Sequence, residues 1–122
     1  MPADYQVIDP IGAWVWPTNP YSRLFWASQK GSPLLLLWVL TGYSSPGKEA
    51  SIRINGTQID TISPRPWTNH FVVNPEAIAV PFNGNLLNVP LVGIPFPNTL
   101  TVVTQSTNDY VYVDNVIFMS RP

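Results

Sequence analysis

The chain has 122 residues, a length that fits one domain over residues 1–122. Charged residues make up 11% of the chain and hydrophobic residues 45%, and six basic against seven acidic side chains leave a net charge of −1. The basic side chains form no cluster that could neutralise a run of phosphates, so a nucleic-acid partner is not expected. With no cysteine, disulfide frameworks, thiolate metal sites and cysteine nucleophiles are excluded.

The N-terminal segment has neither a basic region nor an apolar core of the kind found in secretory signals. This predicts a cytoplasmic location by default, with a virion or secretion by another route as the alternatives. The longest apolar run covers the seven residues 34–40 between Pro33 and Gly42, far short of the roughly 20 residues that a membrane-spanning helix needs. We expect no membrane span, and we interpret this run as a buried central strand.

The 14 prolines are spread so evenly that no stretch of helical length is free of them, except where the apolar residues repeat every second position. Short alternating runs bounded by turn residues recur about every eight to twelve residues along the chain. The runs cover residues 5–8, 11–16, 23–28, 34–41, 50–54, 57–62, 71–73, 77–82, 86–92, 99–104 and 109–118. They predict an all-β fold, an antiparallel β-sandwich of the jelly-roll type with about eight or nine strands and proline-rich loops.

One β-hairpin is indicated by a turn dipeptide. Asn55-Gly56 lies between two alternating runs, and this pair favours the two positive φ angles of a type I′ turn. We therefore predict a two-residue hairpin loop at this point.

A proline-flanked aromatic loop is the candidate ligand-binding site. Trp67 stands between Pro66 and Thr68, and polar side chains of Arg65, Asn69 and His70 surround it. An indole can stack on the apolar face of a sugar ring while neighbouring polar groups bind the hydroxyls. The alternative is that Trp67 closes one end of the sandwich. Trp14 and Trp16, which share one face of a strand, are interpreted as core residues. The alternative is that they stack on neighbouring sugar rings.

The last two alternating runs carry a family resemblance. Residues 99–104 and 109–118 end in Tyr112-Val113-Asp114-Asn115-Val116, which resembles the end of carbohydrate-binding jelly rolls of the galactose-binding-like type. Such modules often hold a structural calcium ion between an acidic residue of the final strand and oxygens near the N-terminus. The resemblance therefore implies a calcium site at Asp114 with Asp9 and Asp4 as partners. The alternative is that Asp114 and Asn115 bond to neighbouring backbone groups at a β-bulge or strand end.

Catalysis is not expected. His70 is the sole histidine, and Ser63 and Asp60 near it have no spacing that is typical of a nucleophile and its orienting acid. We interpret the chain as a non-catalytic, lectin-like carbohydrate-binding protein with a neutral glycan or a protein as its partner, and with no cofactor other than the calcium ion. The alternative is a structural or assembly subunit of a phage tail, virion or secretion machine. Long apolar edges predict a homo-oligomer in both cases.

Overall fold

The computed structural model of the chain describes residues 4–15, 19–42, 50–62, 76–90, 96–104 and 110–121. Within these ranges lie nine strands: β1 (Asp4–Asp9), β2 (Ala13–Val15), β3 (Tyr21–Phe25), β4 (Ser32–Gly42), β5 (Ala50–Ile54), β6 (Thr57–Ile62), β7 (Glu76–Pro81), β8 (Asn98–Thr104) and β9 (Tyr110–Arg121). The only helical element among the described residues is one 3₁₀ turn at Gly84–Leu86. The prediction of an all-β chain is confirmed.

The strands form two antiparallel sheets. The first sheet has the order β1-β9-β4-β7, and β2 pairs with β9 beyond the end of β1; the second sheet has the order β3-β8-β5-β6. From β2 onward, every connection except the β5–β6 hairpin passes from one sheet to the other, as in a jelly roll. The predicted β-sandwich is therefore confirmed.

The sequence prediction of a strand over 86–92 is wrong for the residues that the structure describes, because Leu86 ends the 3₁₀ turn and no strand follows up to Pro90. The Asn83 side chain accepts a hydrogen bond from the Asn85 N–H, and the Leu87 N–H donates to the Gly84 carbonyl. These local bonds hold a turn where the apolar pattern favoured an extended chain. The run predicted at 71–73 lies outside the described residues.

The core lies between the sheets and is built from alternate residues of each strand. Leu35, Leu37 and Val39 of β4 point inward from the first sheet and are buried. The rings of Phe25 and Phe118 meet across the core with their centroids 4.9 Å apart. The central position of β4 and the burial of its inward side agree with its prediction as a buried strand, but its outward residue Trp38 is 44% exposed.

A β-bulge at Asn115 changes which residues of β9 face the core. Leu36 pairs with Ile117 and Trp38 pairs with Asp114, so one residue of β4 opposes both Asn115 and Val116 of β9. Asn115 has φ 48°, the left-handed conformation that such bulges use and that Asn tolerates. Beyond the bulge, the buried positions of β9 change from odd to even numbers. The β-bulge in the alternative interpretation of Asp114-Asn115 is confirmed, and the hydrogen bond found at this pair joins the Asn115 side chain to the Asp114 side chain.

The predicted hairpin is also confirmed. Ile54 pairs with Thr57, and the two loop residues Asn55 and Gly56 have φ 52° and 86°, as a type I′ turn requires. The Asn55 side chain additionally donates to the Leu86 carbonyl and the Asn98 Oδ1 and accepts from the Thr99 N–H. The dipeptide therefore closes the hairpin and ties it to β8.

Candidate functional site

A buried carboxylate joins the two sheets at one edge of the sandwich. Oδ1 of Asp9 accepts hydrogen bonds from the backbone N–H groups of Ile11 (3.0 Å) and Gly12 (2.9 Å). Oδ2 accepts from the Tyr21 hydroxyl (2.9 Å) and the Arg23 Nε (3.0 Å) on β3 of the second sheet. Arg23 also lies over the Tyr21 ring, 4.4 Å from its centroid. This Asp9 cluster fixes the β1–β2 turn against the second sheet.

The environment of Asp9 favours its ionised form. Burial raises the pKa of the Asp9 carboxyl, but the hydrogen bonds from Gly12, Tyr21 and Ile11 and the charge of Arg23 outweigh burial, so the pKa lies below its ordinary value. Burial and the bond to Asp9 raise the pKa of the Tyr21 hydroxyl well above its ordinary value. Tyr21 is therefore a neutral donor to a charged acceptor.

The lowered pKa of Asp9 predicts a loss of stability in acid. Above about pH 5, an Asp side chain is almost fully ionised in both the folded and the unfolded chain, and its full contribution is present. As the pH falls, Asp9 is protonated first in the unfolded chain, because its pKa is lower in the folded chain. The stability contributed by Asp9 therefore declines until the pH lies below the folded-state pKa. Urea unfolding between pH 7 and pH 2 should show this decline, and the Asp9→Asn variant should show a smaller pH dependence in that window. An equally steep dependence in the variant would contradict the prediction.

Asp9 does not fit the calcium site that the family resemblance implies. Its two oxygens already accept four hydrogen bonds, one of them from a cationic guanidinium, whereas a calcium ligand must offer an oxygen lone pair to the ion. Within the described ranges, no three His, Cys, Asp or Glu side chains lie close enough together to hold a metal ion. Calcium binding by Asp114 with other oxygens stays a prediction.

The loop residues predicted to bind a ligand, Trp67, Arg65, Asn69 and His70, lie outside the described residues. Their role stays a prediction.

The described residues instead present an aromatic cluster on the outer face of the first sheet, at the end where β2 joins β9. Trp14 of β2 pairs with Tyr112 of β9, and their ring centroids lie 5.1 Å apart with an interplanar angle of 56°. The Tyr112 hydroxyl donates to the Ile11 carbonyl (2.8 Å), which fixes the phenol ring. Trp14 is 40% exposed, so its core interpretation is wrong.

A carboxylate lies beside these rings. Asp114 follows Tyr112 by two residues on the same face of β9 and pairs with Trp38 of β4. Its Oδ1 accepts a hydrogen bond from the Asn115 Nδ2 (2.8 Å). Gly12 packs directly against the other side of Asp114, where only a glycine fits, because a Cβ there would lie 2.3 Å from the Asp114 Cβ.

Three aromatic rings, a carboxylate and an amide thus share one exposed surface, which we call the Trp14 site (Trp14, Tyr112, Trp38, Asp114 and Asn115). Aromatic faces stack on apolar C–H surfaces, while the carboxylate accepts hydrogen bonds from hydroxyl donors. This combination suits a ligand with an apolar face and hydroxyl groups at its rim.

Sequence reasoning missed the Trp14 site because alternation states which residues share a face but does not state which face is covered. The sequence did contain one indication of the outward direction of Trp14. Val15, a β-branched residue between Trp14 and Trp16, can occupy the core position as well as the tryptophans can. The structure buries Val15, which turns Trp14 outward.

No family model and no curated protein matches the chain. Among solved structures, the chain is similar to dimeric latent PorU from Porphyromonas gingivalis (15% identity, TM-score 0.62, 96% of this chain). It is also similar to BpGH86A, a β-porphyranase of glycoside hydrolase family 86 from Bacteroides plebeius (17% identity, TM-score 0.54, 97% of this chain). The chain spans only 12% and 20% of the length of these two proteins, and the likeness concerns the fold.

A family 35 carbohydrate binding module from Clostridium thermocellum is similar over 98% of this chain and 88% of its own, with 14% identity and a TM-score of 0.46. A second family 35 module, from an environmental isolate, is similar over 94% of this chain and 82% of its own, with 14% identity and a TM-score of 0.48.

Across the described part of the chain, no helix has the length and hydrophobicity needed to cross a membrane.

Proposed function

We propose that this chain is a non-catalytic, lectin-like protein that binds a neutral glycan at the Trp14 site. The observation that carries the proposal is the exposed Trp14–Tyr112 pair beside Asp114 and Asn115 on a rigid sheet face. Strand residues hold the rings in place before the ligand arrives, so little side-chain entropy is lost on binding. A part of the β-porphyranase has this fold, and the name of that enzyme as a glycoside hydrolase agrees with a carbohydrate role for this chain.

The proposed ligand is neutral because of the charge of the site. Asp114 is the one carboxylate among the five residues of the Trp14 site, which include no Lys, Arg or His, and a carboxylate repels uronic acids and sulfated sugars. Hydroxyl groups, in contrast, donate well to a carboxylate. This selects uncharged sugars over acidic ones.

Replacing Trp14 with alanine is expected to lower glycan affinity by about tenfold or more, because central aromatic contacts dominate such interfaces. The measurement is a glycan array, run with and without calcium, followed by calorimetry on the strongest hit. Trp14 is partly exposed, so circular dichroism should show that the variant keeps its fold.

Trp26→Ala provides the matched control. Trp26 is 49% exposed, and its backbone N–H donates to the Gln6 Oε1. Gln6 pairs with Phe118 of β9. Phe118 is about 20 Å along the strand from Tyr112, so the control removes an exposed indole far from the site.

If Trp14→Ala binds normally while Trp67→Ala does not, the site is the loop predicted from the sequence. If the wild-type chain binds no glycan, the carbohydrate proposal is wrong.

An assembly role is the second candidate. It is supported by a different observation, the uncovered apolar residues of the first sheet outside the Trp14 site. In that case the chain would bind a protein rather than a sugar.

A further inference from the structure

The outer face of the first sheet carries two complete rows of apolar side chains. Each row crosses the four paired strands β1, β9, β4 and β7, and the second row lies two residues further along each strand than the first. The residues are Tyr5, Met119, Leu34 and Pro81 in the first row and Val7, Ile117, Leu36 and Ala79 in the second. Tyr5, Val7, Ala79 and Pro81 are exposed, and the other four are partly exposed. We call these eight residues the apolar face.

The outer face of the second sheet is different. Its described outward positions are occupied mostly by polar residues: Ser22, Thr99, Thr101, Arg53, Gln58 and Thr61. Leu24 and Val103 are apolar residues on that side, and they lie in different rows. One side of the sandwich therefore has the composition of a solvated surface, and the other has the composition of an interface.

We propose that the apolar face binds the same face of a second copy of this chain. A two-fold axis would relate the two copies. It lies between their facing first sheets, parallel to the planes of these sheets and perpendicular to the strands, midway between the two rows. Each strand then lies over its own counterpart, and the first row of one copy contacts the second row of the other. Ile117 meets Met119, and Leu36 meets Leu34, in an aligned sheet-on-sheet packing.

The charges next to the apolar face fit this arrangement. On β9, the apolar positions Ile117 and Met119 lie between Asp114 at one end and Arg121 at the other. The two-fold axis exchanges these ends, so Arg121 of one copy lies opposite Asp114 of the partner subunit. The eight residues of the apolar face carry no charge, so self-association brings no like charges together there.

The shape fits as well. A shallow pocket opens beside the first row, and its lining includes Ser32, Leu34, Pro81, Phe82 and Arg121. Ser32 and Trp38 are at opposite ends of the outward positions of β4. The axis therefore places Trp38, which is 44% exposed, over this pocket of the other copy. An exposed tryptophan opposite a pocket is typical of the residues that dominate binding energy.

The size of the contact predicts a weak dimer. Four strands about 4.8 Å apart and seven residues at a rise of about 3.3 Å cover roughly 19 by 23 Å. This projected area is about half of the roughly 800 Å² per partner that a standard stable interface buries. The dimer should therefore be concentration-dependent and exchange quickly.

The dimer would use two residues of the Trp14 site, Trp38 and Asp114, and would leave two others accessible. Trp14 and Tyr112 lie one row beyond Asp114 and Trp38, past the edge of the partner's sheet, so these two rings stay accessible at opposite ends of the dimer. A dimer with two such ends could bind a multivalent glycan more tightly than one copy alone.

The test is sedimentation velocity over protein concentrations from about 1 µM to about 1 mM, the range in which small interfaces associate. The wild-type chain should shift from monomer to dimer within it. Val7→Lys should raise the dissociation constant at least tenfold, because it places an ammonium group in the contact. Leu24→Lys, the same change at a 55% exposed leucine of the polar face, should leave the dissociation constant unchanged.

A charge exchange tests the two-fold geometry. Arg121→Asp alone should weaken the dimer, and the double variant Asp114→Arg with Arg121→Asp should restore it.

Ala79→Lys, at an exposed position of the edge strand β7, replaces Val7→Lys if circular dichroism shows that the latter is unfolded. A wild-type chain that stays monomeric throughout, an equal effect of Leu24→Lys, or no rescue in the double variant would overturn the proposal. Glycan binding by the Val7→Lys monomer would show that the two proposals are separate.

Discussion

Replacing Asp9 with alanine is expected to lower the free energy of unfolding by about 3 kcal/mol, because four donors lose their common acceptor. The Tyr21 hydroxyl is buried and would be left without its carboxylate partner, and the N–H groups of Ile11 and Gly12 would lose the bonds that shape the turn. Arg23 is partly exposed and can turn toward water, so it adds less to the loss. Urea unfolding at pH 7 measures the effect.

Asp60→Ala is the control for this prediction. The Asp60 side chain accepts a single bond from the Thr61 N–H at an exposed position, so its loss should cost less than about 0.5 kcal/mol. Asp9→Asn should lie between the two, because the amide keeps one oxygen acceptor but loses the charge that attracts Arg23. A stability change for Asp9→Ala as small as that for Asp60→Ala would show that the cluster contributes little.

Replacing Gly12 with alanine is expected to destabilise the chain by about 3 kcal/mol, through backbone strain and a steric clash together. Gly12 has φ +83°, and a Cβ there would lie 2.2 Å from the Val113 carbonyl oxygen and 2.3 Å from the Asp114 Cβ. The backbone oxygen cannot move without disturbing the β2–β9 pairing. Thermal and urea unfolding report the loss.

Gly56→Ala separates the two causes of that loss. Gly56 has almost the same φ, +86°, but nothing lies within 4 Å of its added Cβ. Its substitution should therefore show the strain alone, about 1 kcal/mol. If the two alanine variants lose equal stability, the close approach of β9 to Gly12 is not the cause.

The Asp9 cluster also supports the Trp14 site. The carboxylate fixes the turn over residues 9–12, and the Tyr112 hydroxyl donates to the Ile11 carbonyl within that turn. β2 begins directly after it and carries Trp14 to Tyr112. Asp9 is thus a positioning residue for the aromatic pair rather than the metal ligand that the family resemblance implies.

Local sequence determined the strand architecture. Prolines excluded long helices, period-two alternation marked the strands, and Asn55-Gly56 closed a hairpin through its own two positive φ angles. The polar pair Asp114-Asn115 was recognisable as a bulge candidate because short polar side chains tolerate that conformation. These features depend on neighbours in the chain, so the sequence alone could predict them.

Tertiary structure decided what each face of a strand contacts. The sequence could not show that Asp9 lies against Tyr21 and Arg23, because those contacts join two sheets. Nor could it show that Trp14 points outward and Leu36 lies on an uncovered face, since alternation separates the two sides of a strand without saying which side the other sheet covers. Side-chain direction is set locally, whereas burial is set by the packing of the two sheets, and the candidate site depends on burial.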